Sequence, residues 1–163
     1  NVLMAACLAE GESRIENAAI EPEVGELVQV LVAMGARIEG IGTDCLQVQG
    51  VTRLSGLEHR VSGDRIEAGT LLVAGAITGG DVEVTGIDPT HLGAVLDKLR
   101  SAGLDLELGT DRVRLRHTGR IAGIRVKTAP YPGFPTDMQA QIMALLTLAD
   151  HWLRQQATDV LGE

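Results

Sequence analysis

A chain of 163 residues can bury a sizeable core in one or two small domains, but with aromatics at only 2% that core must be aliphatic. The formal net charge of −8 argues against a nucleic-acid binder, which needs a basic face, and no apolar run reaches membrane length. An anionic small-molecule ligand stays open, because one local basic pocket suffices for it.

In chain order, residues 1–8 read as a short apolar helix. The turn Glu10-Gly11 leads into Arg14-Ile15-Glu16-Asn17, a strand of alternating polarity. Glu21-Pro22 then sets an acid before a proline suited to the first helical position. Leu27, Leu31 and Met34 form one apolar stripe on the helix that follows, which ends at Gly35. Two strands, Arg37-Ile38-Glu39 and Leu46-Gln47-Val48, flank the turn Thr43-Asp44, and a further short strand is expected at Arg60-Val61-Ser62.

From Asp64 the same order recurs with a period of about 70 residues, a self-similarity that marks a structural repeat. Asp64 opens a helix of small and aliphatic residues. Gly79-Gly80 precedes the strand Val82-Glu83-Val84-Thr85, and Asp88-Pro89 matches Glu21-Pro22. Leu92, Val95, Leu96 and Leu99 repeat the stripe, and Gly103 repeats the stop. Leu104-Asp105-Leu106 and Val113-Arg114-Leu115 flank Thr110-Asp111, with a last strand expected at Ile124-Arg125-Val126. Asp137 then opens a third helix running to Leu148. The unit reads cyclically as β-α-β-α-β-β, an α+β arrangement with helices packed on a sheet. Unit 1 spans about residues 1–63, unit 2 about 64–136, and the start of unit 3 about 137–163. The first helix lacks the Asp-led turn of its sister and the third unit stops early, so the chain reads as a fragment.

Chemistry is carried by few residues. Cys7 and Cys45 have no CxxC spacing and read as buried free thiols suited to a reducing compartment. His59, His91, His117 and His151 share no metal-ligand spacing and read as surface histidines; no metal and no cofactor is expected. Gly79-Gly80 is a turn, without a phosphate-loop pattern. Arg125 and Lys127 alternate onto one solvated face. Glu21, Asp64 and Asp137 each stand at a helix start, where a carboxylate serves as a cap or as a ligand contact. Asp137 differs in what precedes it: Pro130, Pro132 and Pro135 stiffen the approach, because each fixes φ near about −65° and pushes its predecessor toward extended geometry. From the residues alone both roles stay open.

The strings Asp64-Arg65-Ile66-Glu67-Ala68-Gly69-Thr70, Glu16-Asn17-Ala18-Ala19 with Glu21-Pro22-Glu23, and Thr128 to Gln141 closely resemble the UDP-N-acetylglucosamine 1-carboxyvinyltransferase family of enolpyruvyl transferases. The resemblance runs from about Asn1 to Asp150. It implies a fold of six β-α-β-α-β-β units in two domains, with substrates in the cleft between them. It also implies transfer of enolpyruvyl from phosphoenolpyruvate to the 3-hydroxyl of UDP-N-acetylglucosamine, at the start of peptidoglycan synthesis in the cytoplasm, and so a part in cell-wall growth, cell shape and division. On the family's Pro-Thr-Asp-Met-Gln motif, Asp137 takes the hydroxyl proton and contacts the sugar nucleotide beside Thr136. Glu21 and Asp64 match carboxylates near the cleft, and Val160 matches an apolar uridine contact. The family's Lys-Asn pair, its loop with the reactive cysteine and its phosphate-binding arginines have no match here, so neither Cys7 nor Cys45 is a catalytic cysteine and the isolated chain is expected to be inactive. From His151 onward the sequence departs from the family. Other readings are a non-catalytic relative that binds a sugar nucleotide or a partner protein, and the 5-enolpyruvylshikimate-3-phosphate synthase sister. The short first helix predicts an exposed apolar edge and self-association.

Overall fold

The computed structural model describes residues 1–117 and 119–149. Its contacts divide the chain into two units, Asn1–Val61 and Ser62–Glu163, each with its own core.

The first unit runs α1 (Val2–Cys7), β1 (Glu12–Glu16), α2 (Pro22–Ala33), β2 (Arg37–Glu39) and β3 (Cys45–Gln49). The second repeats that order as α3 (Arg65–Ile77), β4 (Asp81–Thr85), a 3-10 turn at Pro89–Leu92, α4 (Gly93–Ser101), β5 (Asp105–Leu108) and β6 (Arg112–Arg116). A further 3-10 turn, Thr136–Met138, leads into α5 (Gln139–Leu146). Each unit holds a three-stranded antiparallel sheet with the last strand in the middle, ordered β1-β3-β2 and β4-β6-β5.

The repeat extends to single hydrogen bonds. The Ala18 amide donates to the Asp44 carbonyl at 2.8 Å, and the Gly86 amide to the Asp111 carbonyl at 2.8 Å. The Ala36 amide closes α2 on the Leu31 carbonyl as Leu104 closes α4 on Leu99. Both closures follow a glycine with positive φ, Gly35 at +104° and Gly103 at +90°, the left-handed geometry that ends helices and that other residues resist.

Alternation sets which face of each sheet is covered. Leu46 and Val48 of β3 are buried beneath α1 and α2 together with Cys7, Val28 and Leu31. Val113 and Leu115 of β6 pack with Leu72, Leu96 and Leu99. The opposite face of the second sheet carries charge, with Arg114 donating to both oxygens of Asp81 at 2.7 Å. That pairing holds the Asp81 carboxyl below its ordinary range.

Three expectations need correction. Neither Arg60-Val61-Ser62 nor Ile124-Arg125-Val126 forms a strand. A strand exists by pairing, and neither run is paired among the described residues; beside 124–126 the Ala122 amide donates instead to the Ala102 carbonyl at 2.9 Å and Lys98 Nζ to the Arg125 carbonyl at 2.8 Å. Ile121 and Val126 are buried in the core there, while Val61 is 76% exposed. Cys45 is only half-buried, because it opens β3 at the rim of its sheet. His117 is not a plain surface residue: its ring meets the Ala76 carbonyl at 2.7 Å and also the Gly119 carbonyl.

Burial pushes the Cys7 thiol above its ordinary value of 9.0. The folded chain therefore keeps a proton that the unfolded chain releases near pH 9, so stability is full below that pH and declines as pH rises through it. Two outcomes are expected. Ellman's reagent should titrate Cys45 in the native chain and Cys7 only on unfolding, and Cys7→Ala should flatten the alkaline fall of the urea midpoint above about pH 9.

Candidate functional site

The proline-rich loop is a closed bend. The Ala129 amide donates to the Phe134 carbonyl at 3.0 Å, and the Gly133 amide to the Pro130 carbonyl at 2.8 Å. The Tyr131-Pro132 peptide is cis. Phe134 turns inward and is 3% exposed; four residues on, Met138 is wholly buried in the same core. Thr136 and Asp137 lie between these anchors on the 3-10 turn, and both are exposed.

Asp137 does not cap a helix. Pro135, at φ −71° and ψ 141°, occupies the capping position of the 3-10 turn, so Asp137 falls inside that turn, and Met138 precedes α5 without a side-chain cap. The Asp137 carboxylate forms no hydrogen bond or ion pair with any described residue. Acidic charge in a first turn is still favoured by the aligned peptide dipoles.

Asp64, the repeat counterpart of Asp137, does act as a cap. Its Oδ1 accepts from the Ile66 amide at 2.7 Å and the Glu67 amide at 3.2 Å. The pair that the repeat aligns is therefore split, one carboxylate committed as a cap and one without a bond to any described residue. Asp64 opens α3, the helix against which the Thr136–Met138 turn and α5 pack, so these positions sit on neighbouring elements of the second unit. Glu21 belongs to the first unit; it holds the capping position of α2 by its backbone while its side chain makes no capping bond. Its counterpart Asp88, one methylene shorter, does cap, accepting from the Thr90 hydroxyl at 2.6 Å and the Thr90 amide at 2.9 Å. Those bonds keep the Asp88 carboxyl below its usual range. Val160 lies outside the described residues.

Beside the loop, the Arg65 guanidinium sits over the Tyr131 ring, 5.7 Å from its centre, a cation–π contact that ties the bend to the start of α3. The two residues line a shallow, open cleft with His91, Gly93 and Pro135. Asp137 and Thr136 are not among its lining residues. No cluster of three or more His, Cys, Asp or Glu side chains among the described residues could hold a metal ion. Tyr131 is a position of the loop that spacing did not flag.

The family model for EPSP synthase (3-phosphoshikimate 1-carboxyvinyltransferase) matches residues 1–159. The chain belongs to this family. It is 57% identical over 151 residues to a UDP-N-acetylglucosamine 1-carboxyvinyltransferase from Acidobacterium capsulatum, an overlap of 92% of this chain and 35% of that protein. The chain thus spans about a third of the length of that curated relative. Among solved structures, the enolpyruvyl transferase NikO from Streptomyces tendae is similar at a TM-score of 0.76 and 22% identity, over 90% of this chain and 36% of that one. An EPSP synthase from Acinetobacter baumannii gives a TM-score of 0.53 at 23% identity, over 90% and 32%. These likenesses establish the α+β fold of the enolpyruvyl transferases. No helix among the described residues is long and apolar enough to cross a membrane.

The two corresponding aspartates should separate cleanly on mutation. Asp64→Ala is expected to cost about 1 kcal/mol, the usual value of a helix cap. Asp137→Ala, which breaks no bond to a described residue, should stay within about 0.5 kcal/mol. Urea unfolding of the two variants measures both.

Proposed function

We propose that this chain forms part of an enolpyruvyl transfer site and that Asp137 is its proton acceptor. In this reading the 3-hydroxyl of UDP-N-acetylglucosamine loses its proton to the Asp137 carboxylate. As the freed oxygen bonds to the carbon of phosphoenolpyruvate that bears the phosphate ester, the π pair of its double bond takes up a proton at the neighbouring CH2. Loss of a proton from the resulting methyl group restores the double bond while the bond to the ester oxygen breaks, so phosphate departs and the hydroxyl proton leaves with it in the net reaction. A carboxylate is a weak base toward an alcohol, so the step depends on fixed geometry and on exclusion of water.

The observation that carries the proposal is the exposed Asp137 carboxylate, without a bond to any described residue, on a turn anchored at both ends. It lies in the region of high identity to the Acidobacterium capsulatum protein. Thr136, the preceding residue of the same turn, is proposed as a sugar-nucleotide contact. Glu21 and Asp64 are proposed as nearby carboxylates, Asp64 Oδ1 being already engaged as a cap, and Val160 as an apolar contact to the uridine. A role at the start of peptidoglycan synthesis in the cytoplasm follows from the same reading. Since the chain spans about a third of its relative, the isolated polypeptide is proposed to be inactive. The apolar residues that α1 leaves exposed, Val2 at 69% and Leu8 at 56%, support its self-association.

A segment exchange tests the reading. Residues 1–150, placed in the Acidobacterium capsulatum protein in place of its own segment, should release phosphate from phosphoenolpyruvate with UDP-N-acetylglucosamine as acceptor and not with shikimate 3-phosphate. Asp137→Asn in that chimaera should lower kcat by about a hundredfold or more, the range for loss of a general base. Unchanged kcat would remove Asp137 from the mechanism, and turnover with shikimate 3-phosphate would reassign the acceptor. Robust turnover by the isolated 163 residues would refute the view that they form only part of a site.

A further inference from the structure

The turn that carries Asp137 is seated in a notch on α3. Gly69 is buried in the middle of that helix, where glycine weakens helical structure and so needs a compensating reason. The reason is Met138. A Cβ on residue 69 would lie 2.9 Å from Met138 Cε and 3.0 Å from its Sδ. Leu92 Cδ2 is 3.7 Å from the same point, and Met138 is wholly buried, so its thioether end would have to shift within a packed core.

Thr70, the next residue of α3, forms the second half of the seat. Its hydroxyl donates to the Ile66 carbonyl at 2.8 Å and lies 3.9 Å from Met138 Sδ. The same oxygen accepts from Gln141 Nε2 at 2.9 Å, across the α3–α5 contact. Gln141 Oε1 is buried with no partner among the described residues, so the bond to Thr70 is what fixes this amide.

We infer that Gly69 and Thr70 are positioning residues for Asp137. Met138 plugs the Gly69 notch on one side of the aspartate in sequence, Gln141 latches to Thr70 one helical turn later, and α3 thereby sets where the carboxylate points. The inference rests on the catalytic reading of Asp137 for its meaning, but its test does not.

Site-resolved amide hydrogen exchange on the 163-residue chain provides that test, with strands β4 and β6 as the internal reference. Thr70→Val keeps the shape and removes the acceptor of Gln141; Gly69→Ala crowds the plug. Each is expected to speed exchange at residues 136–142 by about tenfold or more relative to β4 and β6, the signature of local rather than global opening. Thr70→Ser should restore the slow rates. Acceleration spread evenly over the unit would make these ordinary core residues and overturn the inference, as would unchanged rates in both variants. The exchange pattern reports the turn whether or not Asp137 does chemistry, so its failure is distinct from failure of the chimaera to turn over.

Discussion

Phe134 and Met138 are four residues apart and sealed in the same core, and that constraint governs the rest of the site. A chain pinned at two such close points can only bow outward between them. Pro135 narrows the choice by fixing its own φ, and the Met138 amide closes the bow on the Pro135 carbonyl at 3.1 Å. Thr136 and Asp137 lie on that bow, both exposed. The Asp137 backbone is held from both sides while its carboxylate forms no bond to any described residue. The turn thus fixes the backbone of Asp137 and leaves its side chain exposed.

The two units show how one scaffold can keep its skeleton while its helix starts diverge. Sheet order, helix closures and turn hydrogen bonds coincide between them. Carboxylates at equivalent helix starts do not: Asp64 and Asp88 are engaged as caps, whereas Glu21 and Asp137 leave their side chains unused for capping. Chain length explains the first contrast, since glutamate at the capping position reaches past the amides that aspartate meets. Backbone phase explains the second. Pro135 starts its turn two residues before Asp137, so the carboxylate arrives too late to cap.

Cores built almost without aromatics rest on many small aliphatic contacts, and close helix approaches make those contacts possible. Gly69 admits Met138, and Gly75 admits Val82, which would lie 2.7 Å from a Cβ at position 75. The ion pairs on the open face of the second sheet, such as Arg114 with Asp81 and Arg116 with Asp105, are solvent-exposed and add little stability. They keep that face hydrated and lie across paired strands, where opposite charges favour one register.

Periodicity and punctuation alone determined the repeat. Alternating strands, apolar helix stripes and the glycines at 35 and 103 are local signals, and each reports a local preference that tertiary packing reinforces. The motif around Asp137 was equally legible because family membership is written in residue identity. Tertiary structure decided what local signals cannot encode. Residues 60–62 and 124–126 have strand-like composition, yet a strand needs a partner backbone, and neither run has one among the described residues. Asp64 and Asp137 look alike as letters, but the phase of the turn, set by a proline and by two buried side chains, makes one a cap and leaves the other free of described partners. The Gly69–Met138 seat joins positions 69 residues apart, and only the packing of α3 against the turn brings them into contact.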